Sequence, residues 1–196
     1  MHAILNGAWR FALVSVLAFG FWAIQSKILP KSFGEPATFV GCLIAFVVFA
    51  EVFLVPLAHQ PNARRKFTGA FIPAFVVYAA VWSACWFAPQ IPAREWVGSV
   101  FGCAAFAAIL HWRLGAREAL WKVILLLTIT HTAGYYLGGK VFYMARHPPT
   151  FAASWSKDTI WTVAKLMWGL CYGLGFGAGI GYAFDMFQRA SPIKKA

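Results

Sequence analysis

The stretch GLCYGLGFGAGIGYAF, residues 169–184, places six glycines within thirteen positions of an otherwise apolar segment. Glycine inside a helix costs about 1 kcal/mol relative to alanine, so this density requires a compensating contact. Small residues let neighbouring helices reach van der Waals contact in lipid. At roughly 100° per residue the glycines form two roughly opposite faces, one of Gly169, Gly173, Gly177 and Gly181 and the other of Gly175 and Gly179. The pattern predicts a last helix packed closely on both sides.

Two uses of these glycine faces fit the sequence. Both faces can pack inside one bundle, or one of them can form a glycine zipper with a second copy of the chain or with a helix of a larger membrane complex. A pore lined by glycine is disfavoured, because a helix backbone pairs its own N–H and C=O groups. Weaker pairs of small residues occur at Gly98 and Gly102 and at Gly134 and Gly138.

The composition of the whole chain places it in a membrane. Of its 196 residues, 61% are hydrophobic and 12% charged, and the mean hydropathy is +0.66, which is unlike a soluble domain. A spanning helix needs about 20 apolar residues, and stretches of that length recur throughout. We therefore predict one all-α polytopic transmembrane domain over residues 1–196, a bundle of about six helices. The predicted spans cover residues 8–29, 37–58, 67–88, 96–114, 121–142 and 161–184.

The net charge of +11 comes from cations grouped between the apolar spans. Such short loops offer little surface for phosphate contacts, which excludes nucleic acid, and the lipid bilayer, with its anionic headgroups, is the expected partner. Ten cations fall on the side of the two chain termini, here the terminal side, and seven on the opposite side, which predicts cytoplasmic termini. The ten are Arg10, Arg64, Arg65, Lys66, Arg113, Arg117, Lys122, Arg189, Lys194 and Lys195, and the seven are Lys27, Lys31, Arg94, Lys140, Arg146, Lys157 and Lys165.

Patterns that mark catalysis or a bound cofactor do not occur in the sequence. It contains no HExxH, GxSxG or P-loop motif, and its four cysteines include no CxxC, so a non-enzymatic role is favoured and the cofactor stays unknown. His59 and His111 both fall at terminal-side ends of spans, which leaves a bis-histidine haem as an alternative. Cys42 and Cys85 suit either apolar filling or a disulfide near the opposite side.

Two ionisable side chains fall deep inside predicted spans and are the candidate functional residues. Glu51 lies about eight residues, or about 12 Å, from the terminal-side end of its span, too deep for a carboxylate to reach water easily. His131 lies at a similar depth. It belongs to a polar stripe with the i, i+3, i+4, i+7 spacing of one helix face, formed by Thr128, His131, Thr132 and Tyr135. If the helices bring Glu51 and His131 together, the pair can exchange a proton or fix the packing.

These features support three kinds of function. The first is a membrane transport or channel protein with a polar path near Glu51 and His131. The second is a non-catalytic membrane subunit or scaffold that associates with partner helices through the glycine faces of residues 169–181. The third, which the sequence favours least, is a haem protein or an intramembrane enzyme.

Overall fold

The chain folds into a bundle of long helices. The computed structural model describes residues 1–28, 34–58, 62–88, 93–116, 120–145, 147, 152 and 154–189, and every regular element in these ranges is helical. The elements are α1 (His2–Ile28), α2 (Gly34–Phe53), a 3₁₀ turn (Val55–Leu57), α3 (Ala63–Phe87), α4 (Arg94–Leu114), α5 (Leu120–Met144) and α6 (Lys157–Arg189). Outside the described ranges lie Lys31, His59, Arg117, Arg146, Lys194 and Lys195.

The bundle is that of a multi-pass membrane protein. Five helices, all except α5, are long and apolar enough to cross a membrane. The 25 residues of α5 are long enough as well, but its threonines, tyrosines and His131 make it less apolar. Successive helices run in opposite directions. The ends of the helices therefore meet on the terminal side. There Gln188 of α6 donates a hydrogen bond to the carbonyl oxygen of Leu57, and Arg113 of α4 donates one to the carbonyl oxygen of Gly69.

α2 ends earlier than the span predicted for it. Pro56 has no N–H, and in a continuing helix its ring would collide with the carbonyl group four residues back. The chain therefore leaves the α-helix at Phe53 and forms the 3₁₀ turn Val55–Leu57. Glu51 consequently lies two residues before the end of α2, so the run of about eight helical residues from which a depth of about 12 Å was predicted does not form.

α6 is the longest helix of the bundle. Its 33 residues extend about 50 Å, whereas the hydrocarbon core of a bilayer is about 30 Å thick. The helix begins with a side-chain cap, because Ser156 Oγ accepts the backbone N–H of Thr159 at 3.2 Å, and Asp158 lies in the first turn, where the helix dipole favours an acid. The helix therefore reaches beyond the hydrocarbon.

The first glycine face of α6 packs on α1. A Cβ built on Gly177 would meet the carbonyl oxygen of Gly7, and a Cβ built on Gly7 would meet that of Gly177. One turn along, a Cβ on Gly173 would lie 2.6 Å from the Cα of Ala12. These distances are far below van der Waals contact, so the two backbones touch where side chains normally separate helices.

The second glycine face of α6 packs on α5 in the same way. A Cβ on Gly175 would meet the carbonyl oxygen of Thr130 and lie 2.8 Å from the Cα of Gly134. A Cβ on Gly179 would lie 2.9 Å from the Cα of Leu127. α1, α6 and α5 therefore form one layer whose helices are held together by backbone contact.

α3 and α4 form a second pair, in which rings lie on glycines. A Cβ on Gly102 would approach the ring of Tyr78 to 3.0 Å, and one on Gly98 would approach the indole of Trp82 to 3.2 Å. Glycine on α4 thus makes room for the large side chains of α3. The pair stays close because one helix is smooth where the other is bulky.

Aromatic side chains fill the space between the α3–α4 pair and the α1–α6–α5 layer, and we name this space the seam. α3 meets α6 through Phe67 and Phe184, with ring centroids 5.5 Å apart, and through Tyr78 and Phe176, 4.7 Å apart. Phe106 of α4 reaches the same Phe176 at 5.6 Å. The layer is thus joined by backbone contacts, whereas the seam is joined by rings.

Replacing Gly177 by alanine tests the backbone contact between α1 and α6. We expect Gly177→Ala to lower the free energy of unfolding by about 1–3 kcal/mol, because the new methyl group overpacks a closed interface. Gly139→Ala is the matched control, since nothing lies within 4 Å of a Cβ there, and it should leave stability unchanged or raise it by up to about 1 kcal/mol, because alanine favours the helix. The measurement is denaturant unfolding in mild detergent, and equal effects of both variants would contradict the packing described.

Candidate functional site

The centre of the seam holds a buried hydrogen-bonded cluster of His131, Tyr78 and Tyr172, here the His131 cluster, with one residue each from α5, α3 and α6. Tyr78 Oη lies 2.6 Å from His131 Nε2 and 3.0 Å from Tyr172 Oη. The shorter distance is below the usual range of an N–H donor and is typical of a hydroxyl donor. On this basis we assign Tyr78 as the donor to His131 and Tyr172 as the donor to Tyr78. His131 then carries its proton on Nδ1.

Aromatic rings enclose the imidazole of His131. Phe176 and Tyr172 stand nearly perpendicular to it, at centroid distances of 4.9 and 5.4 Å. Tyr135 lies almost parallel to it, at 6.3 Å and with 6° between the planes. The imidazole is 0% exposed. The cluster is thus a polar group held in apolar surroundings in the middle of the bundle.

Several buried polar atoms around the cluster have no hydrogen-bond partner among the described residues. They include His131 Nδ1 and Thr132 Oγ1 on α5 and Ser99 Oγ on α4, whereas Thr128 has a hydrogen-bonding contact with the thiol of Cys103. Cys103 of α4 lies next to Thr128, and α4 and α5 are antiparallel, so a step of four residues along each helix brings Ser99 to the level of Thr132. A buried polar atom without a partner costs about 1–3 kcal/mol. These groups therefore leave unused hydrogen-bonding capacity in the middle of the bundle.

The seam is closed differently on the two sides of the cluster. Towards the opposite side, Tyr135 lies between Trp82 and Trp168, with centroid distances of 5.5 and 5.6 Å. The Nε1 atoms of both indoles are buried and have no partner among the described residues. Towards the terminal side, the seam is filled by a stack of three rings from α3, which are Phe67, Phe71 and Phe75. The cluster is thus closed on both sides. The phenylalanine stack closes it towards the terminal side, and Tyr135 with the two tryptophans, which carry N–H donors, closes it towards the opposite side.

Glu51 does not belong to this cluster. Its carboxylate accepts a hydrogen bond from Thr68 Oγ1 at 2.8 Å and faces Arg64 Nε at 3.8 Å. Thr68 and Tyr78 are ten residues apart on α3, or about 15 Å, and the phenylalanine stack lies between them. The direct pair of Glu51 and His131 considered from the sequence therefore does not form. Each residue finds its partner on α3 instead.

The polar stripe of α5 faces the interior of the bundle. His131 and Thr132 are buried, and Thr128 and Tyr135 are partly buried. The stripe thus supplies most of the polar wall around the cluster. Its i, i+3, i+4, i+7 spacing is what brings these side chains to one side of the helix.

Both glycine faces of α6 are covered within the chain, one by α1 and the other by α5. A partner helix cannot reach Gly169, Gly173, Gly175, Gly177, Gly179 or Gly181 without displacing one of them. The scaffold hypothesis therefore loses the surface that the sequence offered for it. These glycines serve packing inside the protomer.

The alternatives that involve cofactors and disulfides gain no support from the geometry. His111 is half-buried beside the ring of Phe187, at 5.2 Å, and its proposed partner His59 lies outside the described residues. Cys42 and Cys85 are free thiols. Within the described part of the chain, no group of three or more His, Cys, Asp or Glu side chains is placed to hold a metal ion.

Sequence reasoning missed Tyr78, Tyr172 and Ser99. Each is a single polar residue in an apolar helix, so no periodic pattern marks it. One signal was available for the tyrosines, since Tyr78 and Tyr172 lie near the middle of predicted spans. Tyrosine in membrane helices is typical of the two boundaries, and a central tyrosine needs a buried partner for its hydroxyl.

Comparisons with known proteins leave the geometry to carry the functional argument. No protein-family model, curated protein or solved structure matches this chain.

Removing the central hydroxyl tests the hydrogen-bonded cluster. Tyr78→Phe leaves both His131 Nε2 and Tyr172 Oη without a partner, so we expect the free energy of unfolding to fall by about 1–3 kcal/mol. Tyr172→Phe leaves the bond between Tyr78 and His131 intact and should cost about 1 kcal/mol or less. Unfolding in mild detergent measures both. A Tyr172→Phe effect as large as that of Tyr78→Phe would contradict the order of donors given above.

Proposed function

We propose that the protein is a membrane transport protein that passes a small uncharged polar solute along the seam, with the His131 cluster as the binding site halfway. The observation that carries this proposal is the set of buried polar atoms without partners, His131 Nδ1, Thr132 Oγ1 and Ser99 Oγ, at the middle of an apolar bundle. Polar groups in a bilayer interior are costly and typical of transport paths. A solute with hydroxyl or amide groups would offset this cost by pairing with them.

The packing of the helices supports such a path. α6 is fixed to α1 and α5 by backbone contacts, whereas the α3–α4 pair meets this layer mainly through rings. Rotation of Tyr135 on one side, or of the stacked phenylalanines on the other, would open the seam without disturbing the glycine contacts. A rigid layer and a ring-filled seam are suited to gating that admits the solute from one side at a time.

The charge of the cluster indicates an uncharged solute. In the described part of the chain, the groups bonded to His131 or stacked on it are phenols and a phenyl ring, and none is a carboxylate, an ammonium or a guanidinium. An ion without a counter-charge would be strongly disfavoured in so apolar a site. Hydroxyl groups and a neutral imidazole can both donate and accept hydrogen bonds, which matches a polyol or an amide.

Solute uptake by proteoliposomes tests the proposal. Stopped-flow light scattering reports how fast vesicles swell again after a shift into urea or glycerol, and we expect the protein to accelerate this step.

The double variant Ser99→Ala with Thr132→Val removes two hydroxyls while nearly keeping the shape of the wall, and uptake should slow by about tenfold if the solute loses two hydrogen bonds of about 0.7 kcal/mol each.

Glu51→Gln is the matched control for this experiment, because it alters a polar membrane residue outside the seam. It should leave uptake unchanged. Proton entry is followed with a pH-sensitive dye inside the vesicles. If the protein accelerated the entry of neither uncharged solutes nor protons, the transport proposal would be wrong. Acceleration of protons alone would contradict the assignment of an uncharged solute.

We infer that both termini face the cytoplasm, since ten cations lie on the terminal side and seven on the opposite side, and cytoplasmic loops carry the excess of Lys and Arg. A fluorescent reporter that matures only in the cytoplasm should fluoresce when fused before Met1. The same reporter inserted between α3 and α4 should stay dark. The reverse result would show that both termini face away from the cytoplasm.

A further inference from the structure

A basic cleft opens on the terminal side, away from the His131 cluster. It is a shallow, open depression with a volume of about 800 Å³, and it is lined by the start of α3, residues Asn62, Ala63, Arg64, Arg65, Thr68 and Gly69. Arg113 of α4 reaches its edge, because its Nε donates to the carbonyl oxygen of Gly69 at 2.6 Å. The cleft thus lies on the first two turns of α3, beside the last turn of α4.

The cleft carries an excess of positive charge. Arg64 and Arg65 are exposed, with 79% of the Arg64 side chain accessible, and Arg113 adds a third guanidinium. The nearby carboxylate of Glu51 is 18% exposed and faces Arg64 through Nε, at 3.8 Å. Three cations against one acid leave the cleft positive, and planar guanidinium groups bind phosphate oxygens in pairs.

Exposed tryptophans place the cleft at the boundary between lipid and water. Trp112, beside Arg113, is 72% exposed, and Trp121, at the start of α5, is 66% exposed. Indoles at helix ends are typical of the headgroup level of a bilayer. From the cleft, the face of α3 that carries Arg65 and Gly69 continues at helical spacing through Ile72 to the exposed Val76. Beyond the basic cleft, this face therefore offers apolar surface towards the hydrocarbon.

We propose that this cleft binds the headgroup phosphate of an anionic phospholipid. The guanidinium groups of Arg64, Arg65 and Arg113 hold the phosphate, Thr68 and Asn62 supply further polar contacts, and an acyl chain lies along Ile72 and Val76. This face changes from polar to apolar along α3. A lipid would contact both parts, whereas a free phosphate ion would contact only the polar part. The lipid would hold the start of α3 against the end of α4.

Lipid binding to the full chain in mild detergent tests the proposal. The purified, delipidated protein is titrated with phosphatidylglycerol, with phosphatidylcholine and with inorganic phosphate, and native mass spectrometry counts the bound lipid. We expect phosphatidylglycerol to bind more tightly than phosphatidylcholine, and this preference to fall by about tenfold to thirtyfold in Arg64→Ala with Arg65→Ala, since each cation near an anionic lipid contributes about fivefold. The preference of the unaltered protein should also weaken with salt.

The matched control is Lys27→Ala with Lys140→Ala, which removes two exposed cations on the opposite side and should keep the preference. Arg64→Lys with Arg65→Lys retains the charge but not the paired guanidinium contacts, so it should lose less of the preference than the alanine pair does, which separates lost binding from lost folding. Equal binding of the two lipids, an equal loss in both alanine pairs, or displacement of the lipid by millimolar inorganic phosphate would each overturn the proposal.

Discussion

Backbone contact between α6 and its two neighbours fixes the arrangement of the other helices. In lipid, apolar side chains gain little from burial against one another, so close contact of the helices themselves must hold them together. Gly177 against Gly7 and Gly175 against Gly134 provide it. With both smooth faces engaged, α6 has two faces left for large side chains, one that carries the exposed Leu174 and one on which Tyr172, Phe176 and Ile180 lie buried. The glycines therefore determine where the seam lies.

The two buried ionisable residues are accommodated by different physical means. His131 lies in the seam as a neutral hydrogen-bonding group, with phenols as partners and rings around it. Glu51 lies near the end of α2, where Thr68 and Arg64 can reach its carboxylate. A neutral imidazole can remain in a dry interior, whereas a carboxylate needs a cation or a donor nearby. The seam and the terminal-side cleft are consequently separate chemical environments.

Local and periodic features of the fold could be predicted from the sequence, and contacts between distant helices could not. Apolar length indicated a membrane bundle of helices, and the angle per residue separated the glycines of α6 into two faces. The stripe of α5 was visible for the same reason. The end of α2 was misjudged because Pro56 was not weighed against the apolar run that contains it. The partnership of His131 with Tyr78 and Tyr172 depends on which helices are neighbours, and spacing within one helix does not contain that information.

A close backbone contact joins α1 to α6, which are far apart in the sequence. Gly177 follows Gly7 by 170 residues, so at about 5–20 residues per second the glycine face of α1 waits about 10 to 30 seconds for its partner. During this interval α2 to α5 are made without a complete layer to pack on. The layer of α1, α6 and α5 therefore closes only after every one of these helices has been synthesised.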